Sequence, residues 1–321
     1  MRHRLFWVGL LGLAATAAGC KPDLGSPPSL VVGPRFLAMR GVPPEAPESG
    51  MVTYDALVVD TNGTVANAAF GWAQCLVPDP PANGNDVSSG CLSIPDDTTA
   101  PSPTFTAPLP PNACTLFGPE TPPPVKGQPP TRPADPDTTG GFYQPVRATW
   151  QSDAGPELAF ALERITCPLA NAPTDIAGQF ASTYVPNNNP TVADLLLDPA
   201  GAMTSLYVAG QTAAPQAATV SGGQKVTLQV DFGADSAETF VHWNVSTLSL
   251  DMQRESLSLA WFTTGGAFEH DATGRTQSEM ETFTQNTWTA PTTAGPVYFW
   301  TVLRDDRGGV DFAAAEIVVT P

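Results

Sequence analysis

The chain has 321 residues, 42 % of them hydrophobic, and carries 31 acidic side chains against 14 basic ones, a formal charge of −17. That acid excess argues against nucleic acid and against anionic lipid headgroups as partners, since both demand clustered Lys and Arg. With 35 prolines and only 14 % charged residues, long helices are disfavoured and strands joined by many turns are favoured.

Arg2 and Arg4 precede an apolar run from Leu5 to Ala18, and Ala17-Ala-Gly19 leads into Cys20. A positive start, an apolar stretch too short to span a bilayer and small residues at a cut site make residues 1–19 a secretory signal peptide. The segment ending at Cys20 resembles a bacterial lipoprotein signal, with Ala17 where such signals usually carry Leu. The resemblance implies cleavage before Cys20, diacylation of its thiol and acylation of the new amine, palmitate being a representative chain. Several acyl chains anchor a protein stably where one holds it only marginally. Lys21, not Asp, follows the cysteine, which favours the outer membrane over inner-membrane retention. The mature chain then keeps 12 basic residues against 31 acidic ones, a formal charge of about −19. Its membrane partner is the lipid bilayer, reached through the anchor alone.

Residues 20–34, rich in Pro, Gly and Ser, read as a flexible tether. A first domain over 35–167 opens with a strand at Arg35–Met39, followed by the alternating, β-branched Met51–Asp60 and by Phe70–Leu76 with Trp72. Eighteen of the 35 prolines lie between Pro78 and Pro145, so a Pro-rich insertion at about 109–141 is read as extended loop. Phe142–Trp150 and Leu158–Cys167 form a closing hairpin. Residues 168–202 make a connector, with short helices expected at Asp175–Tyr184 and Val192–Leu197 and a break at Asn187-Asn-Asn-Pro190. A second domain over 203–321 has strands at Gly222–Asp231, Phe240–Leu248, Leu257–Thr263, Met280–Trp288, Val297–Asp305 and Val310–Val319. The fold class is all-β: two tandem β-sandwiches joined by a short, partly helical connector.

Four motifs recur in the same order. Ser49–Val58 matches Ser221–Val230, Trp72 matches Trp261, Thr104-Phe-Thr-Ala-Pro108 matches Thr287-Trp-Thr-Ala-Pro291, and Phe142–Thr149 matches Val297–Asp305. A tandem repeat follows. The order Trp261, Thr287-Trp-Thr-Ala-Pro291 and Gly295-x-Val-Tyr-Phe-Trp-Thr-Val-Leu-Arg-Asp-Asp-Arg-Gly-Gly309 resembles bacterial Ig-like and PKD-type modules, over 203–320 and more weakly over 35–167. The whole chain is similar to a set of uncharacterised myxobacterial lipoproteins, through Ala113–Pro119, Gly140–Arg147 and Pro186–Pro190. That resemblance implies location and fold and supplies no chemistry.

Apart from Cys20, four cysteines remain in an oxidising compartment, with three connectivities open. The short polar loop 83–90 pairs Cys75 with Cys91 and leaves Cys114 for Cys167. No C-x₂-C spacing supports a metal site instead. His242 and His270 lack a convincing catalytic setting, and no Gly-x-Ser-x-Gly, His-Glu-x-x-His, phosphate loop or dinucleotide fingerprint occurs, so an enzyme, a hydrolase included, is not expected. Asp305, Asp306 and Asp311 are the candidates for a Ca²⁺ loop, against a plain hairpin turn through Gly308-Gly309. No other cofactor is indicated. Trp288 and Trp300, with Trp150, are the candidates for an aromatic platform binding polysaccharide, against a place in the core. The expected function is that of a non-enzymatic, lipid-anchored envelope protein whose domains bind a protein or act as a spacer. Polysaccharide binding through exposed aromatics is the alternative, and an uncharacterised hydrolase is the third reading.

Overall fold

The computed structural model describes residues 26–321 apart from 67–68, 78–86, 101–102, 117–125, 128–139, 170–171, 199–200, 211–217 and 245. The expected signal peptide at 1–19, Cys20 and much of the expected Pro-rich insertion therefore lie outside the described residues. Strands β1 (Arg35–Val42), β2 (Glu45–Pro47), β3 (Met51–Asp60), β4 (Gly63–Thr64), β5 (Phe70–Gln74), β6 (Thr98–Ala100), β7 (Thr104–Pro108), β8 (Gly141–Ser152) and β9 (Gly155–Thr166) build the first half, with a single helical turn α1 (Ala113–Leu116). One sheet has the order β1-β3-β4 with β7 also on β3, the other β2-β9-β8-β5-β6. Their facing sides bury Val52, Tyr54, Phe70, Trp72, Val146 and Ile165.

Helix α2 (Thr174–Thr183) leads to the second half, formed by β10 (Val192–Asp198), β11 (Thr204–Val208), β12 (Ala218–Ser221), β13 (Lys225–Phe232), β14 (Thr239–Asn244), β15 (Ser249–Arg254), β16 (Leu257–Thr263), β17 (Ala267–Phe268), β18 (Ala272–Arg275), β19 (Phe283–Thr289), β20 (Gly295–Asp305) and β21 (Val310–Thr320). Here the sheets are β11-β10-β13-β19-β17 and β12-β21-β20-β16-β18, with β14-β15 a separate hairpin. Val226, Leu228, Trp261, Trp288, Phe299 and Ile317 fill the space between them.

The two halves share one pairing scheme. β1-β3-β7 corresponds to β10-β13-β19, and β6-β5-β8-β9-β2 to β18-β16-β20-β21-β12, with β2 and β12 each running parallel to the last strand. Registers fix the correspondence residue by residue. Trp72 lies opposite Ala148 and Ala148 opposite Ala159, as Trp261 lies opposite Thr301 and Thr301 opposite Ala313. This chain of partners sets Phe142 against Gly295, two residues earlier than the motif match with Val297.

The sandwiches then pack on each other through their outer faces. Leu37, Ala38, Leu57 and Val59 of the first meet Trp300 and Val302 of the second, so four sheets stack in layers. Trp300 donates its indole N–H to the Thr64 hydroxyl at 2.9 Å across this interface. Both β3 and β20 break their alternation into continuous buried runs (Ala56–Val59 and Phe299–Leu303), as strands covered on both faces must. Val31 is buried in the same interface, and the chain at Ser29–Val31 bonds to Thr263 through Val31 N to Thr263 O and Thr263 N to Ser29 O, each 2.8 Å.

Several expectations are corrected here. Residues 29–31, expected within a flexible tether over 20–34, are docked on Thr263. Val192–Leu197 is a strand, because Val192, Leu195 and Leu197 are needed in the second core. A run of leucines is neutral between helix and strand, and the tertiary setting decides. The second sandwich accordingly begins at Val192, not Met203, and the connector ends before it. The segment Phe240–Leu248 is not one strand: Asn244 accepts from the backbone of Ser246 and Thr247, Leu248 takes φ 54°, and the chain reverses into the β14–β15 hairpin. Phe180 of α2 and Leu169 pack on that hairpin's Val241 and Trp243.

Candidate functional site

The turn between β20 and β21 is organised by Asp305, whose Oδ1 accepts from Arg307 N at 2.9 Å and Gly309 N at 2.7 Å. Gly308 has φ 101°, a conformation that favours glycine, and a Cβ on Gly309 would clash with the Asp305 carboxylate. This turn sends Arg307 into the junction between the sandwiches. Its guanidinium donates Nε to Glu255 at 2.5 Å, Nη2 to Glu238 at 2.8 Å and Nη1 to Val185 O at 3.1 Å, and lies 4.4 Å from the Phe240 ring centre. Glu45 of β2 approaches the same arginine at 3.9 Å and Arg164 at 3.4 Å. Glu45 also accepts from the Tyr184 hydroxyl at 2.8 Å, Thr166 at 2.9 Å and Asn187 N at 2.9 Å. Burial, then the charge of Asp305, pushes the Glu255 carboxyl up to about 7 against the pull of Arg307. Beside this cluster, Arg40 of β1 bridges Asp55 at 3.0 Å and Asp311, tying the first sandwich to the second.

The three acids of the expected Ca²⁺ loop are therefore put to separate uses. Asp305 holds its own turn, Asp311 accepts from Val192 N at 2.8 Å and from Arg40, and exposed Asp306 accepts from Ser256 N at 3.2 Å. The structure does not bring them together, and no group of three His, Cys, Asp or Glu side chains among the described residues is placed to hold a metal ion. Half-buried His242 faces Asp251 across the β14–β15 ladder, while exposed His270 is tied only through its backbone to Asn286.

The aromatic platform is overturned. Trp288 and Trp300 are 0 % and 1 % exposed, and Trp72, Trp150, Trp243 and Trp261 are buried as well. Three of the indole N–H groups are used internally, Trp288 to Gly265 O at 3.0 Å, Trp261 to Thr273 at 2.9 Å and Trp300 to Thr64 at 2.9 Å, while that of Trp72 is buried with no partner among the described residues. Volume explains this: the wide rings fill the space between sheets that smaller residues leave open. Cys75 and Cys91 lie with Cα atoms 5.4 Å apart, Cys114 and Cys167 with Cα atoms 5.6 Å apart, both pairs joined as disulfides.

A feature missed in the sequence emerges when the halves are superposed by register. Gln144 and Glu163 face each other on the core side of β8 and β9, where the second sandwich has Val297 facing Ile317. Tyr54, opposite Phe105, stands where Val226 stands opposite Trp288. One core thus carries three polar side chains at seats that are apolar in its sister. Glu163 is 2 % exposed, and its Oε1, like Gln144 Oε1, has no hydrogen-bond partner among the described residues. Burial, then the charge of Glu45, pushes the Glu163 carboxyl up to about 9. A Cβ on Gly41 would meet that carboxyl, so a larger residue there would force the Glu163 side chain to shift. Glu163 and Asp305 both line a cavity of about 430 Å³ bounded by β1, β9 and the β20–β21 turn. The signal was present in the sequence: Ala159-x-Ala161 and Thr166 match Ala313-x-Ala315 and Thr320, which sets Glu163 on Ile317.

No protein-family model matches the chain, and no curated protein does. Among solved structures it is similar to the D00-D0 domain of intimin, at 11 % identity over 86 % of this chain and 95 % of that one, with a TM-score of 0.25. Domains 4 and 5 of the S-layer protein SbsC match at 8 % identity over 89 % and 100 %, TM-score 0.20. Invasin, a bacterial integrin-binding protein, matches at 12 % identity over 90 % and 39 %, TM-score 0.22. Scores this low leave the fold to be read from this chain's own sheets, which are all-β. Among the described residues no helix is long and apolar enough to cross a membrane.

Proposed function

We propose that the protein is a non-enzymatic, lipid-anchored component of a bacterial cell envelope, held at the outer membrane through Cys20, whose paired Ig-like sandwiches form a rigid protein-binding or spacer module. The observation that carries this reading is the four-layer stack. Tandem sandwiches joined only at their ends would bend at the connector, whereas here the outer sheets share an apolar interface centred on Trp300 and an ionic junction centred on Arg307. Domains that meet through a large apolar face move as one. The signal-like segment ending at Cys20 supports export and acylation, and the two disulfides suit an oxidising compartment.

Fractionation tests the reading. Cys20→Ser, or globomycin treatment of the native host, is expected to move the protein from the membrane fraction to the soluble one. An unchanged membrane fraction would refute the anchor.

A further inference from the structure

The second sandwich shows what closes its own seam. There β11 runs antiparallel along the outer edge of β10, Tyr207 opposite Leu195 and Thr204 opposite Leu197, and sends Leu206 into the core. Phe36 and Met39 of β1 hold the seats of Leu195 and Leu197, since they face Val58 and Ala56 as those face Val230 and Leu228. Among the described residues no strand lies along that edge of β1, nor along β9 ahead of Arg164. The outward carbonyls of Leu37 and Gly41 are met by the side chains of Arg304, at 3.2 Å, and Asn189, at 2.7 Å. The cavity of about 430 Å³ lies in this open seam, with Ala159, Ala161 and Glu163 as one wall.

An unpartnered buried carboxyl selects what would enter. Of the acids lining the cavity, Asp305 is already bonded within its turn, but Glu163 offers a buried oxygen with no partner. Its seat is that of Ile317, so packing alone would have been served by an apolar residue. Arg304, the basic residue at the rim, donates its Nη2 to Leu37 O rather than to Glu163. A cation brought in by a ligand would displace the proton that burial holds on Glu163, which leaves to solvent, and pair with the carboxylate so formed.

We propose that the seam between β1 and β9 takes an extended segment of a partner protein, laid antiparallel on β1 as β11 is on β10, with a Lys or Arg side chain entering the cavity to meet Glu163. Backbone hydrogen bonds to the β1 edge, taking the place of the Arg304 and Asn189 side chains on Leu37 O and Gly41 O, supply affinity, and the basic residue supplies selectivity. This rests on the protein-binding reading above.

The probe is a blocked five-residue peptide copying Thr204–Val208, with Lys, Leu or Glu at the position of Leu206. Each is titrated into the intact protein and followed by NMR shifts of the Met39 and Gly41 amides. The Lys peptide is expected to bind at least tenfold more tightly than the Glu peptide, with Leu between them. Glu163→Ile, which restores the sister residue and is expected to fold, makes the Leu peptide the best binder; Glu163→Gln levels Lys and Glu. Equal binding of all three, binding of none, or a Lys preference that survives Glu163→Ile overturns the proposal. Self-association of the peptide-free protein that is lost in Glu163→Ile also overturns it, because the occupant is then a second copy. Membrane fractionation is a separate readout, so failure here leaves the anchoring result standing.

Discussion

At Glu163 the folded protein holds a proton that an unfolded chain gives up. The carboxyl titrates at about 9 in the fold against 4.5 for an unperturbed glutamate, for reasons of burial first and the Glu45 charge second. Between those two values the unfolded state binds fewer protons, so stability falls as pH rises through that window and is regained on acidification. Glu255, at about 7, adds the same sign over the lower part of the range. Thermal melts are therefore expected to give a higher Tm at pH 5 than at pH 8.5. Glu163→Ile should raise the Tm at pH 8.5 and flatten the profile, removing a desolvation cost of about 1–3 kcal/mol; a steeper profile would contradict this. Arg307 works in the opposite direction. Its removal strands Glu255 and Glu238 beside Glu45, so Arg307→Met is expected to cost about 3–5 kcal/mol in urea unfolding. A loss below about 1 kcal/mol would mean the acids simply take up protons.

Among the elements, apolar runs bounded by clear turn residues were legible. The bounds Met51–Asp60 and Leu257–Thr263 read from sequence are those of β3 and β16. The misreadings have physical causes. The leucines of β10 carry no period that separates helix from strand, and the β14–β15 reversal turns on an asparagine and a positive φ at Leu248, which alternation does not encode. Short strands such as β2 and β12 exist only because β9 and β21 offer them an edge. Of the candidate site, Glu163 and Gln144 sat unnoticed inside a predicted hairpin, since a single polar residue in a strand is usually solvent-facing and only the sister register shows otherwise. The Cys114–Cys167 bridge spans 53 residues of the first sandwich. Replacing both cysteines by serine is expected to cost about 4 kcal/mol by chain entropy. Hydrogen exchange should then rise in the first sandwich and stay low in β13, β16, β20 and β21. Uniform loss of protection would show that the halves do not open separately.

For the molecule as a whole, the outer-face interface makes stability a shared property of both sandwiches. Trp300 is its largest buried side chain, 1 % exposed, and reaches Thr64 across the boundary. Trp300→Ala is expected to cost about 3–5 kcal/mol and to split one calorimetric transition into two, because the cavity falls between the halves and not within either core. A single transition shifted to lower temperature would place the coupling elsewhere, with Arg307 and Arg40 the next residues to test. The docked segment at Ser29–Val31 bears on mechanics. Its two hydrogen bonds to Thr263 run beside a parallel strand contact, so tension arriving along the chain from the side of Cys20 loads them in shear, together, before it reaches β1. Force applied at the N-terminal end is thus passed first to β16, in the second sandwich. β1 keeps its register until those two bonds give, so a pull on that end does not peel the first strand of the first sandwich directly.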